Sequence, residues 1–300
     1  MNDQRSARAS TLEAEPFRPA GPRPGFIGGT VQSIRDIVAH RELLGLLTRR
    51  EIKARYKDSV LGFFWSLARP LAMLMVYWVA IGKFLGAERA IPEFAIYIFT
   101  GLTAWQLFSD IVLTGTGSIV ANSGLIKKVY VPREVYPLSA VGSALFNFVI
   151  QLGILIAFTV VRGQFPVGAR WLYFVLALAV LVTFATAVAL FLAAVNVYLR
   201  DVQYLVDISL MLLFWASPIV YSWSQVSQYL DGVLETIYLA NPMTQVILAF
   251  QQTFWVAGDG QSVPPNLGTN LLIMLGVSVV LLWLGQRTFA RLQSNFAQEL

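Results

Sequence analysis

The sequence predicts an all-α polytopic membrane protein, and three observations carry that prediction. Of 300 residues, 56% are hydrophobic and only 13% charged, whereas a soluble domain carries about a quarter charged residues. Apolar runs long enough to cross a hydrocarbon core of about 30 Å recur along the chain. Lys and Arg gather at alternate ends of those runs, as in chains whose loops obey the positive-inside bias.

Composition also narrows the chemistry. No cysteine is present, which removes disulfides, thiolate catalysis and cysteine metal sites. The one histidine, His40, cannot build a multi-histidine site. The net charge of +5 lies beside the apolar runs and does not imply nucleic acid. No phosphate-cradling glycine loop, no zinc-protease HExxH, no GxSxG and no DxD pair occurs, and outer-side carboxylates are too scattered for an acid pair.

Residues 1–41 read as a largely disordered cytoplasmic tail. The first 30 are polar, rich in Pro, Arg, Glu and Gly, and lack the apolar core of a signal peptide. Residues 42–58 read as a helix lying in the headgroup layer. Leu43, Leu47 and Ala54 fall near one face, Glu51 and Arg55 are spaced as an i,i+4 pair, and Arg50, Lys53, Arg55 and Lys57 add positive charge beside Tyr56. Those charges suit an anchor attracted to anionic lipid.

Residues 59–291 then form a transmembrane domain with six expected spans, 60–85, 94–113, 137–161, 171–198, 204–221 and 267–286. Span one carries Arg69 just before Pro70, where an Arg must snorkel or find a partner. Span two contains Asp110 and span five Asp207. Both lie toward the cytoplasmic ends, where they are expected to orient helix ends or pair with Arg200 or Arg133. Between the second and third spans, 122–135 mixes Leu125, Ile126, Val129, Tyr130 and Val131 with Lys127, Lys128, Pro132, Arg133 and Glu134. Two readings stay open there: a short helix presenting Leu125 and Ile126 to a partner's groove, or a loop packed on its own bundle. Residues 237–257 are uncharged but contain Asn241, Pro242, Gln245, Gln251 and Gln252. Two short helices that dip in and out fit better than a seventh span, because Pro242 removes a donor and restricts Asn241. Residues 292–300 form a cytoplasmic C-terminus.

With both termini inside, 18 Lys and Arg lie on the cytoplasmic side and four outside, namely Lys83, Arg89, Arg162 and Arg170. A seventh span would carry Arg287 and Arg291 outside, so the bias favours six. Aromatic residues cluster at span ends, mostly as an interfacial belt, with flat rings that also suit sugar C–H faces.

Three stretches, REIKARYKDSVLGFFWSLARPL, SGLIKKVYVPREVYPLSAV and LANPMTQVILAFQQ, together resemble the membrane subunit of ABC type 2 exporters, in the group that exports O-antigen, teichoic acid, capsule or galactan chains. The resemblance implies a homodimer in the bacterial inner membrane, two separate ABC ATPase subunits that hold ATP and magnesium, and no cofactor in this chain. It makes 122–135 an ATPase-coupling helix through Leu125, Ile126, Lys127, Lys128, Pro132, Arg133 and Glu134. It makes 42–58 an interface helix and 237–257 an outer gate at Asn241 and Pro242. The expected cargo is a polysaccharide on an undecaprenyl diphosphate carrier, with Arg50, Lys53, Arg55, Tyr56 and Lys57 near the diphosphate and Arg69 at the channel entrance. An exporter of a lipid, drug or other small amphiphile is the alternative. An ion-coupled transporter would want midplane carboxylates and an inverted repeat, and neither is visible.

Overall fold

The computed structural model describes residues 26–56, 64–127, 131–230 and 232–300. Its regular structure is helical throughout these residues. The helices are α1 (Phe26–Ala39), α2 (Arg41–Tyr56), α3 (Phe64–Tyr77, continued by a π-helical turn over Trp78–Phe84), α4 (Phe94–Ala121), α5 (Ser123–Ile126), α6 (Val135–Val161), α7 (Arg170–Tyr198), α8 (Val202–Trp215), α9 (Trp223–Val226), α10 (Val233–Leu239), α11 (Pro242–Phe254), α12 (Leu267–Leu292) and α13 (Phe296–Glu299).

Four helices are long and apolar enough to cross a membrane: α4, α6, α7 and α12 with its short 3-10 extension. They match the second, third, fourth and sixth expected spans. The other two expected spans are shorter as helices. The apolar part of the first runs over Pro70–Phe84 and the fifth over Val202–Trp215. At about 1.5 Å per residue each covers only about 20 Å. The fifth stops because Pro218 disfavours helical backbone at the residue before it. Ser217 turns the chain, with the Ile219 amide donating to its carbonyl at 2.7 Å. Ile219 and Val220 then fold inward and are buried. An apolar run therefore continues to residue 221 while the helix ends at 215.

The expectation of a largely disordered tail through residue 41 is corrected over 26–39, which form α1. Its Ser33 is buried, and Thr30 Oγ1 accepts a hydrogen bond from Trp283 Nε1 of α12 at 3.2 Å. Val31, Ile34 and Val38 form an exposed apolar stripe along its other side.

The core is organised around α7, which α4, α11 and α12 contact. Close approach depends on small residues, the usual device where apolar surface alone does not drive helices together. A Cβ placed on Gly115 of α4 would stand 2.7 Å from Ala189 Cβ of α7, and one on Gly285 of α12 would stand 2.7 Å from the Ala187 carbonyl oxygen. Asn196 of α7 donates to the Thr116 carbonyl of α4 at 3.1 Å. A second cluster closes one end of the bundle with Leu47, Ile119, Ile126, Val135, Phe289 and Phe296.

Candidate functional site

Helix ends meet in two groups. At one end Lys83 pairs with Glu88 at 2.6 Å, Arg162 with Glu93, and Arg170 with Asp259. Three of the four cations that the sequence puts outside thus have carboxylate partners there. At the other end lie α2, the 122–135 loop and the C-terminal segment, which is where the sequence concentrates its Lys and Arg.

At this basic end α2 packs against α6. A Cβ on Gly142 would come within 2.9 Å of Thr48 Cγ2, so the two helices lie almost in backbone contact. Leu47 is buried and Leu43 half-buried, while Ala54 is exposed. Glu51, spaced for a pair with Arg55, whose side chain lies outside the described residues, accepts a hydrogen bond from Ser139 Oγ of α6 at 2.6 Å. Arg50 donates to Asn122 Oδ1, and Asn122 Nδ2 donates to the Ser118 carbonyl at 2.8 Å. Asn122 follows the last turn of α4, so the guanidinium sits where the helix dipole favours a cation. Lys53 is exposed. Lys57 and Lys128, with the side chains of Arg55, Tyr56 and Arg69, lie outside the described residues. A cavity of about 440 Å³ opens between α2, α4 and α6, with Arg50, Glu51, Thr114, Ser118 and Asn122 among its walls.

In the neighbouring loop, Ile126 is 8% exposed and belongs to the chain's own apolar cluster. Leu125 is half-buried, and Gly124 and Lys127 are what the short α5 turns outward. The expected pair of apolar anchors is therefore divided, with Ile126 packed inside. Pro132 is half-buried, and the Arg133 guanidinium stands 5.7 Å from the centre of the Phe296 ring. Glu134 is buried and accepts from Gln293 Nε2 at 3.4 Å. Burial pushes the Glu134 carboxyl above the usual carboxylate range, and the hydrogen bond from Gln293 offsets part of that. Tyr198 Oη donates to the Leu292 carbonyl at 2.8 Å, and Phe296, fully buried, packs edge-on to Tyr198 and Phe289. The C-terminal segment is thus fastened to the loop, an arrangement invisible in the sequence because residues 134 and 293 are far apart in it.

At the opposite end α10 and α11 meet at a bend of 74°. Asn241 caps α11, its Oδ1 accepting from the Met243 amide at 3.0 Å, with Pro242 in the first turn. The glutamines that look out of place in this apolar stretch satisfy stray carbonyls. Gln245 Nε2 donates to Leu239 O at 2.9 Å, and Gln251 Nε2 to Pro218 O at 2.7 Å. Tyr97 Oη, on α4, reaches both Pro218 O at 3.1 Å and Tyr221 O at 2.6 Å. Irregular backbone shielded from water is tolerable when buried groups bond it.

Of the two intramembrane carboxylates, Asp110 on α4 is half-buried and accepts from Gln106 Nε2 at 2.8 Å, while Asp207 on α8 is exposed. Among the described residues no three His, Cys, Asp or Glu side chains converge as metal ligands do.

Residues 42–255 match the family model described as ABC-2 type transporter. The chain is 33% identical over 271 residues to the O-antigen export system permease protein RfbA of Myxococcus xanthus, covering 90% of this chain and 100% of that protein. It is 30% identical over 214 residues to the RfbA permease of Klebsiella pneumoniae, 71% of this chain and 80% of that one. It is 25% identical over 204 residues to the polysialic acid transport protein KpsM of Escherichia coli, 66% of this chain and 75% of that one. Helical packing, hydrogen-bonded helix breaks and a family match over most of the length agree: the chain is a membrane transport subunit and not an enzyme, and it belongs to the ABC-2 type transporter family.

Proposed function

We propose that the chain is the permease of an ATP-driven exporter that carries a polysaccharide on an undecaprenyl diphosphate lipid across the bacterial inner membrane. The observation that carries this reading is the end-to-end likeness to an O-antigen export permease, covering 100% of that protein. Two copies enclose the path, and two ABC ATPase subunits supply ATP and magnesium from the basic, cytoplasmic end. The fold then has six spans, the short α3 and α8 included, with both termini inside and the bent α10–α11 pair as a re-entrant outer gate.

The basic end suits the mechanical role. A push on the 122–135 loop reaches α2 through the Arg50–Asn122 bond, and the C-terminal segment through Glu134–Gln293 and Arg133–Phe296. With Ile126 packed inside, Lys127 and Leu125 are the loop's described contribution to an ATPase groove. Arg50 lines the cavity and Lys53 is exposed on the same helix; these two, with Arg55, Tyr56 and Lys57, are the residues assigned to the diphosphate, which guanidinium groups match. Arg69 stands at the entrance of the path. Export of a small amphiphile is the second reading, favoured by the largely apolar surface of α8.

Co-purification with a candidate ABC ATPase subunit from the same cell tests the proposal. The complex should form, hydrolyse ATP and restore surface polysaccharide in cells lacking their own permease. Changing Arg50, Lys53 and Arg55 to Gln should lower export while leaving the complex assembled. No complex, or no polysaccharide export by the unaltered pair, refutes the reading.

A further inference from the structure

Helix α4 is the most enclosed of the long helices, with 78% of its apolar window buried. From residue 102 inward, its unburied positions are 102, 106, 110, 113, 114, 117, 120 and 121. Steps of three and four keep one face of a helix in line, so these positions form one continuous stripe. The chemistry of that stripe is unusual for a spanning helix. It reads Leu102, Gln106, Asp110, Leu113, Thr114, Gly117, Val120 and Ala121, with hydrogen-bonding side chains at 106, 110 and 114 in its middle.

The same chain provides the contrast. The open face of α12 carries Leu272, Ile273, Val277 and Val280, 61%, 55%, 44% and 55% exposed, which is what acyl chains solvate without cost. Gln and Asp side chains facing lipid would be expensive. The stripe is also internally ordered. Gln106 Nε2 donates to Asp110 Oδ1 at 2.8 Å, and the Thr114 hydroxyl donates to the Asp110 carbonyl. Beside it Gln203 of α8 donates to Leu113 O at 3.4 Å, and its buried Oε1 has no donor among the described residues.

The stripe does not end blindly. Thr114 and Gly117 form one wall of the 440 Å³ cavity whose opposite wall is Arg50, Glu51 and Ala54 of α2. Gln106, Asp110 and Thr114 therefore lead from the membrane-embedded part of α4 toward a cavity that holds Arg50 and Glu51.

We infer that Gln106, Asp110 and Thr114 form a hydrogen-bonding wall of the translocation path, on which the hydroxyl groups of the moving chain are held in passing. This rests on the polysaccharide reading above and adds its contact residues. The ligand chemistry is that of a polyol: a carboxylate and a carbonyl oxygen accept from hydroxyls, and an amide donates to them. Several weak, exchangeable bonds in a row suit a polymer that must slide rather than settle.

The absence of native cysteine allows a direct test. Gln106→Cys, Thr114→Cys and, on the open face of α12, Val280→Cys are compared in membranes containing the permease and its ATPase. A charged, membrane-impermeant thiol reagent should modify the two α4 positions far faster than position 280. In parallel, Gln106→Leu, Thr114→Val and Asp110→Asn should each lower polysaccharide export by about tenfold, the scale of one lost hydrogen bond, with the amount of assembled complex unchanged. Modification at α4 as slow as at 280 means a lipid-facing stripe and overturns the inference. So does rapid oxidative cross-linking of Thr114→Cys between two copies without reagent access, which means a seam between copies. Fast modification with normal export in all three polar variants overturns the binding role. If the unaltered pair exports no polysaccharide, the functional reading fails, and the thiol result still reports whether the stripe faces water.

Discussion

Replacing Tyr97 by Phe tests how the interrupted backbone after α8 is held. Tyr97 is 1% exposed, and its single O–H is shared between two carbonyls of a segment that has left the helix, mainly Tyr221 O at 2.6 Å and more weakly Pro218 O at 3.1 Å. Pro218 O has a second donor in Gln251 at 2.7 Å, and Tyr221 O has no other donor among the described residues. Tyr97→Phe therefore leaves one buried carbonyl without a partner, a cost of about 1–3 kcal/mol. Gln251→Leu alone strips Pro218 O of one of two donors and costs about 0.5–1.5 kcal/mol. The double variant leaves both carbonyls unsatisfied, so its loss should exceed the sum of the single losses by about 1–3 kcal/mol. Thermal unfolding of the purified permease in detergent, run as a four-way cycle, reads these terms. Strict additivity, or a Tyr97→Phe variant as stable as the parent, would refute the idea that these side chains take the place of water at a membrane-buried break.

Two further outcomes follow from packing and charge. Gly285→Ala puts a methyl group 2.7 Å from the backbone oxygen of Ala187, whereas at Gly276 on the same helix nothing lies within 4 Å. The first should lose about 1–3 kcal/mol by forced separation of α7 and α12, the second should be neutral or gain up to about 1 kcal/mol, and unfolding midpoints distinguish them. Glu134 is held above its ordinary value of 4.5 by burial. The unfolded chain therefore loses this proton first, so the contribution is fully present below pH 4.5 and is lost as pH rises through the raised folded value. Stability measured from pH 4.5 to 8 should fall more steeply in the parent than in Glu134→Gln, and parallel curves would contradict the assignment.

The long helices are legible in the sequence because length and apolarity suffice. Residues 135–161 and 170–198 have no competing signal inside them, and their helices begin and end within two residues of the expected spans. The fifth span is overestimated because hydropathy does not distinguish a helix from a buried turn. Ile219 and Val220 are as apolar as any span residue, yet they belong to the core beside Tyr97. Helix α1 is missed for the opposite reason. Its interior holds two adjacent glycines, and what fixes it is partly tertiary: the bond from Trp283 to Thr30, more than two hundred residues apart, and the burial of Ser33.

At the candidate site the sequence identifies the chemical groups, and the fold chooses their partners. Glu51 and Arg55 have the spacing of a helical ion pair, worth about 0.2–0.5 kcal/mol in isolation. Glu51 also accepts from the Ser139 hydroxyl that α6 brings to 2.6 Å, a partner that local spacing does not show. Ile126 follows the same logic. An exposed isoleucine waiting for a partner forgoes roughly 1.5–3 kcal/mol of burial, and the cluster of Ile119, Val135 and Phe296 lies within reach of the loop. Local spacing governs only where no such long-range competitor exists, as at Asn241 and Pro242, where capping and a fixed φ act within three residues. The break at Asn241 and Pro242 therefore lies where the sequence puts it, while the basic end had to be read from the packed structure. There each side chain has several neighbours to choose from, and small differences in distance and burial decide among them.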